Sequence, residues 1–197
     1  IAEKASGDPF VVKAILSSSG RSASALFRTI WNRGEATRAK TRELLPELAV
    51  LAGASRSESD PSEILKLVLA DSSARTYVAS LARGLKLGGR SLATVRAKLD
   101  PTSAERLDGL AAAELRVALD ERNEPERRVE AISFLAESGG GDWLRPTLGV
   151  LESNAPTAVR VAALKSVATR TDREIPALIL KGWNAYPPAL RTVATDA

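Results

Sequence analysis

Apolar residues recur at three- and four-residue intervals along much of the chain, and the pattern is sharpest in its last third. Val129, Ile132, Leu135 and Ala136 form one stripe; Val161, Leu164, Val167 and Ala168 form another, thirty-two residues further on. That spacing places each set on one face of a helix. The intervening segments match as well, with Trp143, Leu148 and Leu151 answering to Ile175, Leu180 and Trp183. A weaker third copy begins at Leu190-Arg191, thirty-one residues after Val159-Arg160. Each copy reads as two helices joined by a turn, at Gly139-Gly140-Gly141 in one and Thr171-Asp172 in the next.

The first 123 residues are less regular, but their punctuation is helical. Asp8-Pro9, Asp60-Pro61 and Asp100-Pro101 each pair a capping carboxylate with proline at a first helical position. The pattern predicts helices from Pro9 to about Leu16, over Ser24–Trp31, from Asp60, and over Ser73–Leu85, Ser91–Lys98 and Thr102–Glu121. Ser17-Ser18-Ser19-Gly20 and Asn32-Arg33-Gly34 supply stops. Glu35–Ala52 reads as one longer helix with a kink or break at Pro46, which lacks a backbone donor and crowds the preceding turn. No two-residue alternation and no Asn-Gly hairpin suggests a strand, so the fold class is all-α.

Helical pairs at near-constant spacing imply a solenoid, because one pair cannot bury its apolar stripe alone. The unit is shorter than the ~40–47 residues of HEAT repeats and lacks tetratricopeptide and ankyrin signatures. Compact HEAT-like antiparallel pairs, an α–α superhelix, fit best. Residues 1–197 are read as a single helical-repeat domain, with the clearest repeats over 124–197. What repeats is the stripe and a flanking arginine, Arg128 or Arg160, which suits packing. A duplicated catalytic element would repeat a polar constellation.

Composition narrows the chemistry. The 197 residues include no cysteine, histidine or methionine. Disulfides, thiolate nucleophiles, His-dependent triads and the usual zinc and haem ligands are therefore excluded within this segment. Carboxylate-only, lysine-based and serine–lysine chemistry remain open. Apolar runs fall short of the ~18 residues a membrane helix needs, so no membrane span is expected. The chain opens at Ile1 without a visible signal peptide, and is read as a piece of something longer.

Net charge is +4, and the excess is local. Between Ser72 and Leu99 there is no Asp or Glu, whereas Arg75, Arg83, Lys86, Arg90, Arg96 and Lys98 all fall there. This candidate patch could meet an anionic partner, either phosphates or an acidic protein surface, or could be a solvated face with counter-charges on neighbouring helices. Tyr77 is the one aromatic within it, so stacking on bases is not expected.

Gly84–Ser91, GLKLGGRS, nearly matches the phosphate-cradling loop G-x-x-x-x-G-K-[ST], but Arg90 replaces the lysine and a helix is predicted where the loop needs a strand. It is read as an inter-helix turn. Trp31, Trp143 and Trp183 are expected to pack among aliphatics. Glu124 and Glu126 are read as charges favouring a helix start, and Asp108 and Glu114 as surface charges. No catalytic, metal or cofactor residue is assigned.

DPFVVKAILSSSG near the start, then RRVEAISFLA, VRVAALKSVA and PPALRTVATDA, resemble the helical segment of certain large exported bacterial proteins. Those proteins begin with a β-propeller similar to sorbosone/glucose dehydrogenases, continue into HEAT-like repeats and end in a c-type haem domain with a CxxCH motif. The resemblance implies an extracytoplasmic parent with redox neighbours and haem elsewhere in it. It carries no catalytic residue onto this segment, where CxxCH is absent. The expected function is a non-catalytic scaffold or spacer whose partners are flanking domains or another protein. The alternatives are a nucleic-acid-binding module using residues 75–98 and an enzyme fragment with perturbed carboxylates or lysines.

Overall fold

In the computed structural model, residues 9–20, 22–138, 143–170 and 173–195 are described. The two expected turns at Gly139-Gly140-Gly141 and Thr171-Asp172 lie outside them. The described residues form α-helices and one 3-10 turn, with no strand among them, so the protein is all-helical. The chain divides into two compact units, residues 1–107 and 108–197. The sequence placed its change in regularity later, after residue 123.

The first unit begins with α1 (Pro9–Ser18), α2 (Ala23–Asn32), α3 (Glu35–Lys40) and α4 (Leu44–Ala54). It continues with α5 (Asp60–Val68), α6 (Ala74–Leu87), α7 (Leu92–Arg96) and the start of α8 (Pro101–Leu119). The serine run ends α1 as expected: Ser17 and Ser18 hydroxyls donate to the carbonyls of Ala14 and Ile15, both at 3.0 Å. Such back-bonding competes with the helical ladder.

The expected Glu35–Ala52 helix is two helices, and the break precedes Pro46 instead of falling at it. Residues 41–43 form a turn, and α4 restarts at Leu44. Pro46 thus sits in a first turn, where a missing N–H leaves no bond unmade. The amides of Leu44 and Leu45 both donate to Thr41 O.

α4 is buried nearly all round, through Leu44, Leu45, Leu48, Ala49, Val50 and Ala52. A helix of that kind needs neighbours on several sides, and α2, α5 and α6 all pack against it. Its crossing with α6 is set by two glycines. A Cβ on Gly53 would lie 2.5 Å from Leu81 O, and one on Gly84 would run into Val50 O. The two backbones approach this closely because neither residue has a side chain.

In this unit charged partners lie far apart in sequence but one helix away in space. Arg28 pairs with Glu63, Arg38 with Asp71 at 3.0 Å, Glu47 with Arg83 at 3.3 Å and Glu58 with Lys98 at 2.8 Å. The separations run from 33 to 40 residues. Arg38 also lies 4.5 Å above the Trp31 ring. Trp31 stacks on Phe27, with centroids 5.5 Å apart, and both meet Tyr77 edge-on.

The second unit holds the rest of α8, then α9 (Pro125–Ser138), α10 (Leu144–Glu152), α11 (Thr157–Ala168), α12 (Ile175–Lys181), a 3-10 turn (Trp183–Ala185) and α13 (Pro188–Thr195). α11 packs against α9, α10 and α13. Leu135, Leu164 and Val167 are at most 1% exposed. The buried face is rotated from the predicted stripe, however. Val129, Ala136, Val161 and Ala168 are half-buried, while Ala131, Phe134, Ala163 and Ser166 are buried in their place. The corrected positions still repeat at thirty-two residues: 131 with 163, 132 with 164, 134 with 166 and 135 with 167.

Glu114 also departs from expectation. It was read as a surface charge but is only 5% exposed, and Arg127 forks onto it with bonds of 2.8 and 2.9 Å. A two-pronged guanidinium bond is what allows the carboxylate to leave water.

Candidate functional site

The basic stretch runs through α6, its exit loop and α7, and the structure commits three of its members to internal partners. Arg83 faces Glu47 and Lys98 faces Glu58. Arg90 reaches across to the end of α4, donating from Nη1 to Ser57 O at 2.8 Å and from Nη2 to Gly53 O at 2.7 Å and to Ser55 O. It thereby closes carbonyls that a helix C-terminus leaves open, and puts positive charge at the negative end of the dipole. Lys86 is exposed on α6. Arg75 lies in the first turn of α6 and Arg96 in the last turn of α7.

GLKLGGRS has a specific local role. Gly89 has φ +70°, its amide donates to Lys86 O at 3.1 Å, and the amide of Arg90 donates to Leu85 O at 2.8 Å. That pair of bonds is the Schellman termination, with glycine in the left-handed position. The residues before it are helical, so the strand a phosphate loop requires is not there.

In the second unit, the arginine that flanks each repeat does the same work as Arg90. Arg128 Nε donates to Ala118 O at 2.9 Å, at the end of α8. Arg160 donates from Nε and Nη2 to Leu151 O at 3.0 and 2.7 Å, at the end of α10. Arg191 Nη2 donates to Asn184 O at 3.3 Å, in the 3-10 turn after α12. The echo seen in sequence is therefore a packing face plus a clamp on the helix before it.

Two concavities open in this unit. One, about 570 Å³, lies between α10 and α12, with Leu148, Leu178 and Tyr186 on its walls and Arg145, Arg173, Glu152 and Glu174 around them. The other, about 330 Å³, lies where the turns before α9 and α11 meet and includes Asn123, Arg128 and Asn154. Trp143 is buried, although its Nε1 and the neighbouring Thr147 Oγ1 have no hydrogen-bond partner among the described residues. Trp183 is half-buried in the 3-10 turn.

Glu58, Asp71, Asp100 and Asp120 titrate away from their ordinary values, and each is held low. A hydrogen bond from Lys98 lowers Glu58. The Ser73 hydroxyl and amide lower Asp71, and the Ser103 amide and hydroxyl lower Asp100. Arg122 brings Asp120 down to about 2. Low values belong to caps and ion pairs; a general acid at neutral pH needs the opposite shift. Asp100 is such a cap, accepting from Ser103 N at 2.9 Å at the start of α8. Among the described residues no group of three or more acidic side chains is placed to hold a metal ion, and no helix is long and apolar enough to cross a membrane.

The class these observations define is an all-helical protein whose charged side chains largely close helix ends and join helices. No protein-family model, curated protein or solved structure matches the chain.

Proposed function

We propose that the chain is a non-catalytic scaffold and protein-interaction module, built as a HEAT-like α-solenoid of antiparallel helix pairs. One observation carries the reading: Arg128, Arg160 and Arg191, one per repeat, each donate to a carbonyl at the end of a preceding helix or in the turn that follows it. A residue type recurring with the fold's own period and spent on the fold's own carbonyls is what a stack of like units calls for. The first unit supports it, since ion pairs joining residues 33 to 40 apart are what neighbouring units of that length would make.

In this reading the module belongs to a larger exported bacterial protein and positions a propeller and a c-type haem domain, as the family resemblance implies. The nucleic-acid alternative is weaker, because Arg83, Arg90 and Lys98 already face internal partners.

The decisive experiment is an insertion. A second copy of residues 125–156 is placed in tandem after the first. A solenoid accepts it: helicity measured by circular dichroism rises in proportion to the added length, and unfolding stays cooperative. A closed fold would lose its cooperative transition. Salt-dependent binding to duplex DNA in the intact chain would favour the alternative.

A further inference from the structure

We propose that the pocket between the turns preceding α9 and α11 is a carboxylate-binding site, with Arg128 as the residue that receives the ligand. Arg128 is 3% exposed; its Nε donates to Ala118 O, and the Asp120 carboxylate, held by Arg122, stands near enough to feel its charge. The two η nitrogens of Arg128 carry no hydrogen-bond partner among the described residues, and they are not sealed from solvent, since Arg128 lines the 330 Å³ pocket. A guanidinium with one edge bonded and its terminal edge open presents a parallel pair of donors, the arrangement that grips both oxygens of a carboxylate. A nearly buried cation lacking those bonds gains more from an acceptor than an exposed one does.

Arg160 shows that this is particular to Arg128. It uses Nε and Nη2 together on Leu151 O, so its fork is already spent.

The rest of the pocket fits an acceptor group of modest size. Asn154, which is exposed, also lines the pocket, and its side-chain amide has no hydrogen-bond partner among the described residues. Asn123 gives its amide to Val117 O at 3.2 Å. The pocket also takes in Pro125 and Pro156, where α9 and α11 begin, and helix starts favour negative charge. Arg122 is occupied by Asp120, with bonds of 2.8 to 3.2 Å. Glu121 and Glu124 stand on the rim, exposed, and oppose the ligand. Their repulsion makes the site weak for free anions and selective for a carboxylate that can reach Arg128 and keep its remainder outside. That carboxylate can come from a small organic acid or from the end of a peptide.

The test is a titration of the intact ¹⁵N-labelled chain, at constant ionic strength, with acetate, with a short peptide ending in a free carboxylate, and with the same peptide amidated. Saturable shifts of the Arg128 Nε–H and Asn154 side-chain amide resonances are expected with acetate and with the free peptide. Tighter binding of the peptide identifies a chain terminus as the source; equal binding identifies a small acid. Glu124→Gln is expected to tighten binding roughly threefold, and Asn154→Asp to weaken it by a similar factor, both at exposed positions that leave folding intact. Arg128→Lys should weaken it about tenfold or more, since an ammonium offers no fork. Equal binding of the amidated peptide, absence of saturable shifts, or indifference to both Glu124→Gln and Asn154→Asp would each overturn the proposal.

Discussion

Arg160 donates twice to one carbonyl oxygen, that of Leu151, nine residues back and at the end of the preceding helix. Arg128 makes the corresponding bond to Ala118 from a nearly buried position. The two differ in how much water can replace them. The two acceptor residues are equally buried, at 1% exposed each, but Arg160 is half-buried and Arg128 is 3% exposed, so water takes the place of the Arg160 side chain more readily than that of Arg128. Arg160→Ala is therefore expected to cost about 1–2 kcal/mol and Arg128→Ala about 3 kcal/mol. Urea unfolding midpoints compare them, and equal costs would contradict the assigned roles.

The glycines make a sharper contrast. Gly84→Ala drives a methyl group into Val50 O at the α4–α6 crossing, and Gly53→Ala puts one 2.5 Å from Leu81 O. Backbone carbonyls cannot rotate away as side chains do, so each substitution should cost about 2–3 kcal/mol or more, with Gly84 the worse. Gly109, within α8, has nothing within 4 Å of its added Cβ. There alanine should stabilise by about 0.5–1 kcal/mol through helix propensity. Thermal melts of the three variants give the signs directly.

The chain has two tyrosines, and both titrate above the ordinary 10.0. Burial is the main cause for each, reinforced by the charge of Asp71 near Tyr77 and of Glu152 near Tyr186. A folded-state pKa that is raised means the unfolded chain loses its proton first. The stability these residues contribute is then complete below pH 10 and declines as pH climbs toward the folded values. Tyrosinate absorbance should show both midpoints above that of denatured protein, and Tyr77→Phe should flatten the alkaline loss of stability.

Asp120 behaves in the opposite sense. Arg122 lowers its pKa to about 2, through a side-chain hydrogen bond first and a backbone one second. Its contribution is full above the unfolded value near 4 and disappears as pH falls toward 2. Side-chain carboxyl chemical shifts should give a midpoint of about 2 in the parent protein, and Arg122→Gln should move it up toward the ordinary range. An unmoved midpoint would assign the shift to another cause.

Much of the helical framework was legible from residues three or four apart. Asp100-Pro101 marks the cap of α8 because both its signal and its hydrogen bond lie within one turn. Gly89 and Gly34 mark left-handed positions for the same reason. The thirty-two-residue echo links α9 and α11, which pack on one another and bury corresponding positions. It misplaced the buried face: the stripes share Ile132, Leu135, Leu164 and Val167 with it, but which residues complete it, Ala131, Phe134, Ala163 and Ser166, depends on where the neighbouring helices lie.

What neighbouring residues cannot encode was decided in three dimensions. Glu114 reads as a surface charge and Arg128 as an arginine flanking the repeated stripe; that both are buried follows only from the bonds that Arg127 and Ala118 O supply. Gly53 and Gly84 acquire meaning only as two backbones in contact. The acid-free stretch looked like an unbalanced patch because Glu47, Glu58 and the carbonyls around Ser55 lie 33 to 40 residues away along the chain. Local free energies of capping and helix propensity are written in adjacent positions. Desolvation and charge pairing depend on which helices meet, and that is settled only when the chain has folded.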